Sequence, residues 1–348
     1  MKTNHTLVNS NANNMNFIHD ESINLVVTSP PYPMIEMWDE IFSLMNPEIN
    51  VALQNKDGLR AFELMHKELD KIWNELYRVT APGGIVCINI GDATRTINEN
   101  FQIFMNGSRI ITHMTNLGFY NLPRIIWRKP TNSPNKFMGS GMFPGGAYVT
   151  LEHEHILIFR KGPKRIFKGQ SIIERRESAY FWEERNIWFS DIWNIKGERQ
   201  KSISGENRER TAAYPLELPL RIISMYSKYG DTVLDPFFGT GTTSVAAMML
   251  ARNSIGVEID QSFLSAFKYR VKDVQAKTNN YYKKRLDSHK EFLLTRKEPL
   301  KYFAIKLKTP VMTSQEVNMQ FYEIDNIYVE NENEFTVKHC DFQDESLV

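Results

Sequence analysis

The chain has 348 residues, of which 42% are hydrophobic and 24% charged, and its formal net charge is +1 at pH 7. This balance is typical of a globular protein with an ordinary hydrophobic core, and it argues against a protein that coats nucleic acid by bulk charge alone. Two cysteines far apart, no signal peptide and no run of about 18 apolar residues favour a soluble protein of a reducing compartment, without a membrane partner.

The first half of the chain alternates between predicted strands and helices. Residues 23–28 predict a buried strand, and residues 59–79 carry apolar side chains at spacings of three and four, as in a helix packed on one face. Ala81-Pro82-Gly83-Gly84 should end that helix, and residues 85–90 then predict a second strand, which together indicate a parallel sheet. The other predicted elements of this half are a helix over 108–117 and strands over 122–128 and 155–160.

The alternation resumes in the second half. Its predicted elements are a helix over 215–229, a strand over 232–234, a helix over 242–251, a strand over 254–258 and a helix over 261–276. Residues 131–146, rich in Gly, Pro, Ser and Asn, predict a long mobile loop. The alternation fades after residue 277, so the tail is expected to form an appended subdomain. Residues 261–310 contain thirteen Lys or Arg and four Asp or Glu, whereas residues 311–348 contain one Lys and nine acidic residues.

The first candidate site directly follows the strand over 23–28. There Thr28-Ser29-Pro30-Pro31-Tyr32 places two prolines and an aromatic ring after a buried strand. Because proline cannot donate to a sheet ladder and holds the preceding residue extended, the strand must end here in a stiff tip. Such a tip offers oxygen acceptors beside a ring that can stack on a flat ligand. A proline-rich turn with a surface tyrosine is the plainer interpretation.

The second candidate site lies between the strand ending at Asp235 and the helix opening at Thr242. Glycines at 239 and 241 allow a tight turn and close approach of a ligand, and the helix start offers free N–H groups to a carboxylate or phosphate. Glu258 closes the next strand, where an acid suits a ribose with two free hydroxyls. The spacing is neither the GxGxxG fingerprint nor a Walker loop, so S-adenosylmethionine fits better than a pyrophosphate ligand. A plain glycine-rich turn is the alternative.

Taken together, Thr28-Ser29-Pro30-Pro31-Tyr32 and Asp235-Pro236-Phe237-Phe238-Gly239-Thr240-Gly241-Thr242-Thr243 resemble the DNA amino-methyltransferase family, in the permuted order of its β group. The match covers most of residues 7–270, and the serine of the first motif resembles the cytosine-N4 branch of restriction–modification methyltransferases. The adenine-N6 branch more often has Asp or Asn there.

This resemblance implies an α/β fold, a Rossmann-like S-adenosylmethionine-dependent methyltransferase sheet with helices on both faces, a circularly permuted motif order and a C-terminal appendage. It divides the chain into a catalytic half over 1–160, a target-recognition insert over 161–207, a cofactor-binding half over 208–276 and a C-terminal extension over 277–348. The insert is short, so we expect base reading to recruit the 131–146 loop or the tail.

The resemblance also assigns roles to individual residues. The Ser29 hydroxyl and the Pro30 carbonyl accept the two amino hydrogens of a flipped base, Pro31 stiffens the tip, and Tyr32 stacks on the base. The cofactor is S-adenosyl-L-methionine. The residues expected to bind it are Asn11, Pro215, Asp235, Pro236, Phe237, Gly239, Gly241, Thr242 and Glu258. Asn11 lies where the family usually has a Gly-Asp pair.

Three further clusters of residues suggest a function but also have plainer explanations. The basic run is expected to contact DNA phosphates, although a solvated face explains it equally simply; it consists of Arg160, Lys161, Lys164, Arg165 and Lys168. His153-Glu154-His155 lacks a third ligand of suitable spacing, so no metal site is expected. The Trp and Phe residues over 181–193 are predicted to form local core rather than base-displacing wedges.

The expected function is site-specific transfer of a methyl group to the N4 atom of cytosine in double-stranded DNA, by base flipping. We expect the protein to act in a bacterial-type cytoplasm beside a restriction endonuclease for the same site. Adenine N6 stays open as the acceptor, because the same geometry serves both amines. A non-catalytic DNA-binding module with the same fold also stays open, whereas the basic clusters and the tail disfavour a small-molecule methyltransferase.

Overall fold

The computed structural model describes residues 1–129, 142–197 and 214–343, and the backbone of 138–139. The described strands are β1 (Lys2–Asn9), β2 (Ile23–Thr28), β3 (Thr80–Ile90), β4 (Ala93–Ile97), β5 (Asn100–Phe104), β6 (Phe119–Arg128), β7 (Met138–Gly139), β8 (Ala147–Tyr148), β9 (His153–Lys161), β10 (Ile192–Asn194), β11 (Thr232–Asp235), β12 (Asn253–Glu258), β13 (Tyr302–Ala304), β14 (Thr309–Val311), β15 (Tyr322–Asn331) and β16 (Glu334–Asp341). The described α-helices are α1 (Asp39–Met45), α2 (Pro47–Gln54), α3 (Gly58–Val79), α4 (Asn106–Asn116), α5 (Gln170–Glu177), α6 (Trp182–Trp188), α7 (Glu217–Tyr226), α8 (Thr242–Met249), α9 (Gln261–Val271) and α10 (Val274–Leu294).

Ten strands form one mixed sheet in the order β10-β6-β9-β3-β2-β11-β12-β1-β16-β15. The five central strands, from β3 to β1, are parallel, and antiparallel neighbours extend the sheet on both sides. Strands β2 and β11 lie side by side, yet the chain leaves β2 towards β3 and leaves β11 towards β12. Two parallel strands whose connections diverge open a crevice at their carboxyl ends, where α/β proteins bind ligands.

Helices cover both faces of this sheet because its buried strands alternate their side chains between two apolar layers. Leu25 and Val27 of β2 pack into one layer with residues of α7, α8 and α10. Val26 points into the other layer, which α3 and α4 complete. The predicted α/β sheet with helices on both faces is therefore confirmed.

Several predicted boundaries were wrong by a few residues. Helix α3 ends at Val79 as expected, but β3 starts at once, and its pairing with β2 is irregular where residues 81–84 lie. Helix α7 begins at Glu217 rather than at Pro215. The single helix predicted over 261–276 is two helices, which break between Val271 and Val274.

The amino-terminal strand β1 was not predicted, because its sequence KTNHTLVN has no apolar run. It pairs in parallel with β12 and antiparallel with β16. The β15–β16 hairpin therefore covers an edge of the sheet that would otherwise present unpaired backbone groups.

The tail is part of the main fold and not the separate subdomain that fading alternation predicted. Helix α10 runs across the predicted boundary at residue 276, and the hydroxyl of Tyr282 donates to the Met249 carbonyl of α8 at 3.1 Å. The hairpin of the tail extends the main sheet beside β1.

The stretch predicted as an insert contributes to the opposite edge of the sheet through β10, which pairs with β6. Phe181, Trp188 and Trp193 are buried, as the core interpretation predicted, whereas Trp182 and Phe189 are 37% and 40% exposed. Residues 198–207 of this stretch, and most of the predicted loop over 131–146, lie outside the described residues. No helix in the described part of the chain is long and apolar enough to cross a membrane.

Candidate active site

The carboxyl ends of the parallel strands bring both sequence motifs to one edge of the sheet. Strand β2 ends at Thr28 and its neighbour β11 ends at Asp235, so the diproline tip and the glycine turn emerge side by side. A cavity of about 570 Å³ lies between them. The predicted residues that line it are Asn11, Ser29, Pro30, Pro31, Tyr32, Asp235, Pro236, Phe237, Gly239, Thr242 and Glu258.

Asp235 joins the two motifs through its carboxylate. One oxygen, Oδ1, accepts from the Thr28 hydroxyl at 2.7 Å and from the Phe237 N–H at 3.1 Å, while Oδ2 accepts from the Thr243 hydroxyl at 2.7 Å. Burial raises the pKa of Asp235 to about 6. Because protein donors already occupy both oxygens, Asp235 is better placed to hold the motifs together than to contact a cofactor.

The two glycines of the turn are required for different reasons, packing at Gly241 and space for a ligand at Gly239. Gly241 has φ +79°, caps α8, and a Cβ there would lie 2.4 Å from the Phe267 ring, so packing requires glycine. Gly239 has φ +52°, and a Cβ there would meet no atom closer than the Phe237 carbonyl at 3.8 Å. The backbone at Gly239 therefore leaves room for a ligand, whereas Gly241 does not line the cavity.

Glu258 lies opposite this turn at the end of β12. Its Oε2 accepts from the Gly239 N–H at 2.7 Å and its Oε1 from the Asp260 N–H at 3.0 Å. Burial raises the pKa of Glu258. Each oxygen keeps a further lone pair, so the carboxylate can accept two neighbouring hydroxyls. With the free N–H groups at the start of α8, this donor and acceptor set fits a ligand that carries a ribose and a carboxylate.

Pro215 and Asn11 differ in where they lie relative to the cavity. Pro215 is buried and outside the cavity lining; its carbonyl accepts from the Leu218 N–H at 3.0 Å, and its neighbour Tyr214 lines the cavity instead. Asn11 lines the cavity, with its Oδ1 accepting from the Asn13 N–H at 3.0 Å.

The diproline tip carries a hydrogen-bonded pair of hydroxyls. Ser29 Oγ lies 3.2 Å from the Tyr32 hydroxyl, which donates to Glu154 Oε2 at 2.8 Å. Asn89 Nδ2 donates to the Tyr32 hydroxyl oxygen at 2.8 Å and to the same Glu154 oxygen at 2.7 Å. Burial raises the pKa of Tyr32 well above its usual value, so the phenol keeps its proton.

Three polar residues that line the cavity near the tip were not predicted from the sequence: Asn89, Lys129 and Glu154. Asn89 is a polar residue in the apolar stretch 85–90 that ends β3, and this exception to the pattern could have indicated a site residue. Glu154 was considered only as part of a metal motif. It pairs instead with Lys129, which follows β6. His155 is buried 3.7 Å from Asp92, and no group of three or more possible metal ligands occurs among the described residues.

The basic run predicted to contact DNA lies away from this cavity. Arg160 pairs in register with Ile85, five residues before the carboxyl end of β3, where the cavity opens. Arg165 makes a bidentate ion pair with the buried Asp231 at 2.6 and 2.9 Å, and Lys161 pairs with Glu21. Lys164 and Lys168, which flank Arg165 in the sequence, are exposed. The structure does not bring these cations to the diproline tip.

A family model described as DNA methylase, for N6- and N4-specific enzymes, matches residues 23–269. The chain belongs to this DNA methylase family.

Similar proteins agree with that assignment. The methylase is 51% identical over 325 residues to the type II methyltransferase M.MthZI of Methanothermobacter thermautotrophicus, covering 92% of this chain and 91% of the relative. It is 53% identical over 271 residues to the type II methyltransferase M.MjaI of Methanocaldococcus jannaschii, covering 75% and 88%.

A solved structure of a DNA modification methylase from Thermus thermophilus, in complex with S-adenosyl-L-methionine, superimposes on the methylase with a TM-score of 0.59. It is 30% identical in sequence and covers 76% of this chain and 94% of its own. The predicted family, its Rossmann-like methyltransferase fold and S-adenosyl-L-methionine as the cofactor are thereby confirmed.

Proposed function

We propose that the methylase modifies the exocyclic N4 atom of cytosine in duplex DNA, after the target base flips out of the helix into the cavity. The observation that carries this proposal is the shared cavity, which Ser29 and Tyr32 of the tip line together with Gly239 and Glu258. An amino group buried in a base stack is unreachable, so the base must leave the duplex to enter this space.

The tip prepares the amino group for attack. The lone pair of that nitrogen is delocalised into the ring, and two acceptors bound to its hydrogens draw it towards tetrahedral geometry. The Ser29 hydroxyl and the Pro30 carbonyl are those acceptors, and the prolines fix them in advance, so little reorganisation is needed as positive charge develops. The Tyr32 ring stacks on the base and holds it in plane.

The opposite side of the cavity holds the methyl donor. Bound S-adenosyl-L-methionine supplies an electrophilic methyl group. Glu258 would accept hydrogen bonds from its ribose hydroxyls, the backbone at Gly239 would permit its close approach, and the N–H groups at the start of α8 would bind its carboxylate. The bond from Thr28 to Asp235 keeps this side in fixed register with the tip.

Cytosine is proposed as the target because the tip carries Ser29, where adenine-specific relatives more often have an acid or an amide. The relatives at 51% and 53% identity are named type II methyltransferases. We therefore also propose that the methylase protects DNA from a restriction endonuclease that recognises the same site.

Transfer of a labelled methyl group to duplex DNA, followed by digestion to nucleosides, tests the proposal. N4-methylcytosine is the expected product, and N6-methyladenine would instead identify the other amine as the acceptor. Ser29→Ala should lose transfer while keeping cofactor affinity, with Ser22→Ala, an exposed serine at 22, as its control. DNA binding without any transfer by the wild-type chain would favour the non-catalytic binding module.

A further inference from the structure

A chain of hydrogen bonds connects the Ser29 hydroxyl to a carboxylate on a different strand. Ser29 follows β2, and its Oγ lies 3.2 Å from the Tyr32 hydroxyl. That hydroxyl lies 2.8 Å from Oε2 of Glu154, near the start of β9. Asn89, near the end of β3, supports the chain by donating to both Tyr32 and Glu154. The side chain of Glu154 is only 14% exposed, and Lys129 supplies the opposite charge.

The direction of each bond in this chain follows from Glu154. A carboxylate can only accept hydrogen bonds, so Tyr32 must donate its single proton to it. The Tyr32 oxygen can then only accept, and it does so from Asn89 and from Ser29. The proton of Ser29 is therefore directed to Tyr32. Asn89 Nδ2 also lies 3.4 Å from Ser29 Oγ, a longer contact than its bonds to Tyr32 and Glu154, so Ser29 Oγ keeps a lone pair for the cavity.

We propose that Glu154 is a positioning residue, which orients the Ser29 hydroxyl as a hydrogen-bond acceptor towards the target amino group. Without the carboxylate, the Tyr32 proton is free to turn towards Ser29, whose own proton then points into the cavity and opposes an amino hydrogen. Bonds aligned in one direction also polarise each other, which makes Ser29 Oγ a stronger acceptor. The inference rests on the proposed function, because it concerns the same amino group.

Single-turnover methylation by Glu154→Gln tests this directly, since the substitution keeps size and removes the acceptor-only group. We expect the rate to fall by about 100-fold, the scale of losing one preorganised hydrogen-bonding group. Affinities for S-adenosyl-L-methionine and for duplex DNA should stay at wild-type values. Glu152→Gln is the matched control, because Glu152 lies two residues away on the surface and pairs with Arg128 at 3.5 Å.

Tyr32→Phe provides an independent second variant, because it keeps the ring and removes only the hydroxyl. It should lower the single-turnover rate as Glu154→Gln does. The double variant should be no slower than either single variant, because both break one chain.

Three results would overturn the inference: a wild-type rate in Glu154→Gln, losses that multiply in the double variant, or a loss confined to ligand affinity. Absence of methyl transfer by the wild-type protein would instead overturn the proposed function, so the two failures are distinguishable.

Discussion

The hydroxyl of Thr28 donates a hydrogen bond of 2.7 Å to the carboxylate of Asp235, across the junction of two neighbouring parallel strands. Thr28 is the last residue before the diproline tip, and Asp235 is the last residue before the glycine turn. One buried bond therefore fixes the tip relative to the turn. Alignment of two reacting groups depends on such fixed relative positions.

Asp235→Asn should change how stability depends on pH. The pKa of Asp235 is raised by burial from 3.8 to about 6, so the folded state binds a proton more tightly than the unfolded state does. The contribution of Asp235 to the free energy of unfolding is therefore most favourable below pH 4 and is lost as the pH rises to 6. A pKa difference of two units corresponds to about 3 kcal/mol. The free energy of unfolding of the variant, relative to wild type, should therefore rise between pH 4 and 6 in urea titrations. The exposed Asp287, changed to Asn, serves as the control, and a pH-independent difference for Asp235→Asn would contradict the prediction.

Gly239→Ala should weaken cofactor binding by at least about tenfold, because the added methyl group enters space left for the ligand. Gly230→Ala is the matched control: Gly230 also has positive φ, +76° against +52°, and a Cβ at Gly230 meets nothing within 4 Å. Both variants should lose about 1–2 kcal/mol of stability from left-handed strain. Calorimetric titration with S-adenosyl-L-methionine separates them, and equal affinities would show that the ligand stays clear of Gly239.

Glu258→Gln should reduce affinity for S-adenosyl-L-methionine by about 10- to 100-fold, the scale of hydrogen bonds to a charged acceptor. The amide keeps the shape of the carboxylate but presents an N–H₂ to one of the ribose hydroxyls. An analogue without the ribose hydroxyls should bind wild type and variant almost equally. Glu330→Gln, at an exposed position on β15, should bind the cofactor as wild type does. If Glu258→Gln weakened the binding of S-adenosyl-L-methionine and of the analogue equally, Glu258 would not be the residue that binds the ribose.

Tyr32→Ala should lower the single-turnover rate of methylation far more than it lowers cofactor affinity. The change removes the ring that stacks on the base, an interaction worth about 1–3 kcal/mol, together with the hydroxyl beside Ser29. Rapid-quench kinetics beside equilibrium cofactor titration provide the comparison. Tyr120→Ala, which removes a 57% exposed ring from β6, is the control. If cofactor affinity fell as far as the rate, Tyr32 would act on the cofactor and not on the target base.

Lys164→Glu combined with Lys168→Glu should leave DNA affinity close to the wild-type value. Both lysines are exposed and outside the cavity lining, and Arg165 between them pairs with Asp231, which directly precedes β11 at the opposite end from the cavity. Affinity measured across a series of salt concentrations tests this, because lost phosphate contacts flatten the salt dependence. A clear loss of affinity with a flatter slope would restore the phosphate-contact prediction made from the sequence.

The catalytic and cofactor motifs were predictable because each is contiguous and each follows a recognisable strand. Thr28 to Tyr32 and Asp235 to Thr243 carry proline and glycine where the backbone itself requires them. Parallel strands then bring their carboxyl ends together, so the juxtaposition follows from the alternation of elements.

Residues that meet only through strand pairing were not predictable in the same way. Asn89, Glu154 and Lys129 come from three strands or strand ends, and no spacing in the sequence relates them. The basic run at 160–168 was assigned by charge alone, and charge does not report which end of a strand faces the cavity. The tail was predicted to be a separate subdomain because the alternation of strands and helices fades there. That reasoning fails for the β15–β16 hairpin, because a hairpin can join the edge of a sheet without a helix between its strands.

Strand β1 also has a consequence for how this protein is made. It lies between β12 and β16, and Asn4 bonds to Asn253 across 249 residues of sequence. During synthesis β1 must therefore wait for its partners β12 and β16, which follow it in the chain by more than 240 residues. Such non-local pairing slows folding and leaves the nascent strand dependent on solvent or chaperones until then. The part of the sheet around β1 is accordingly completed only after β12 and β16 have been synthesised.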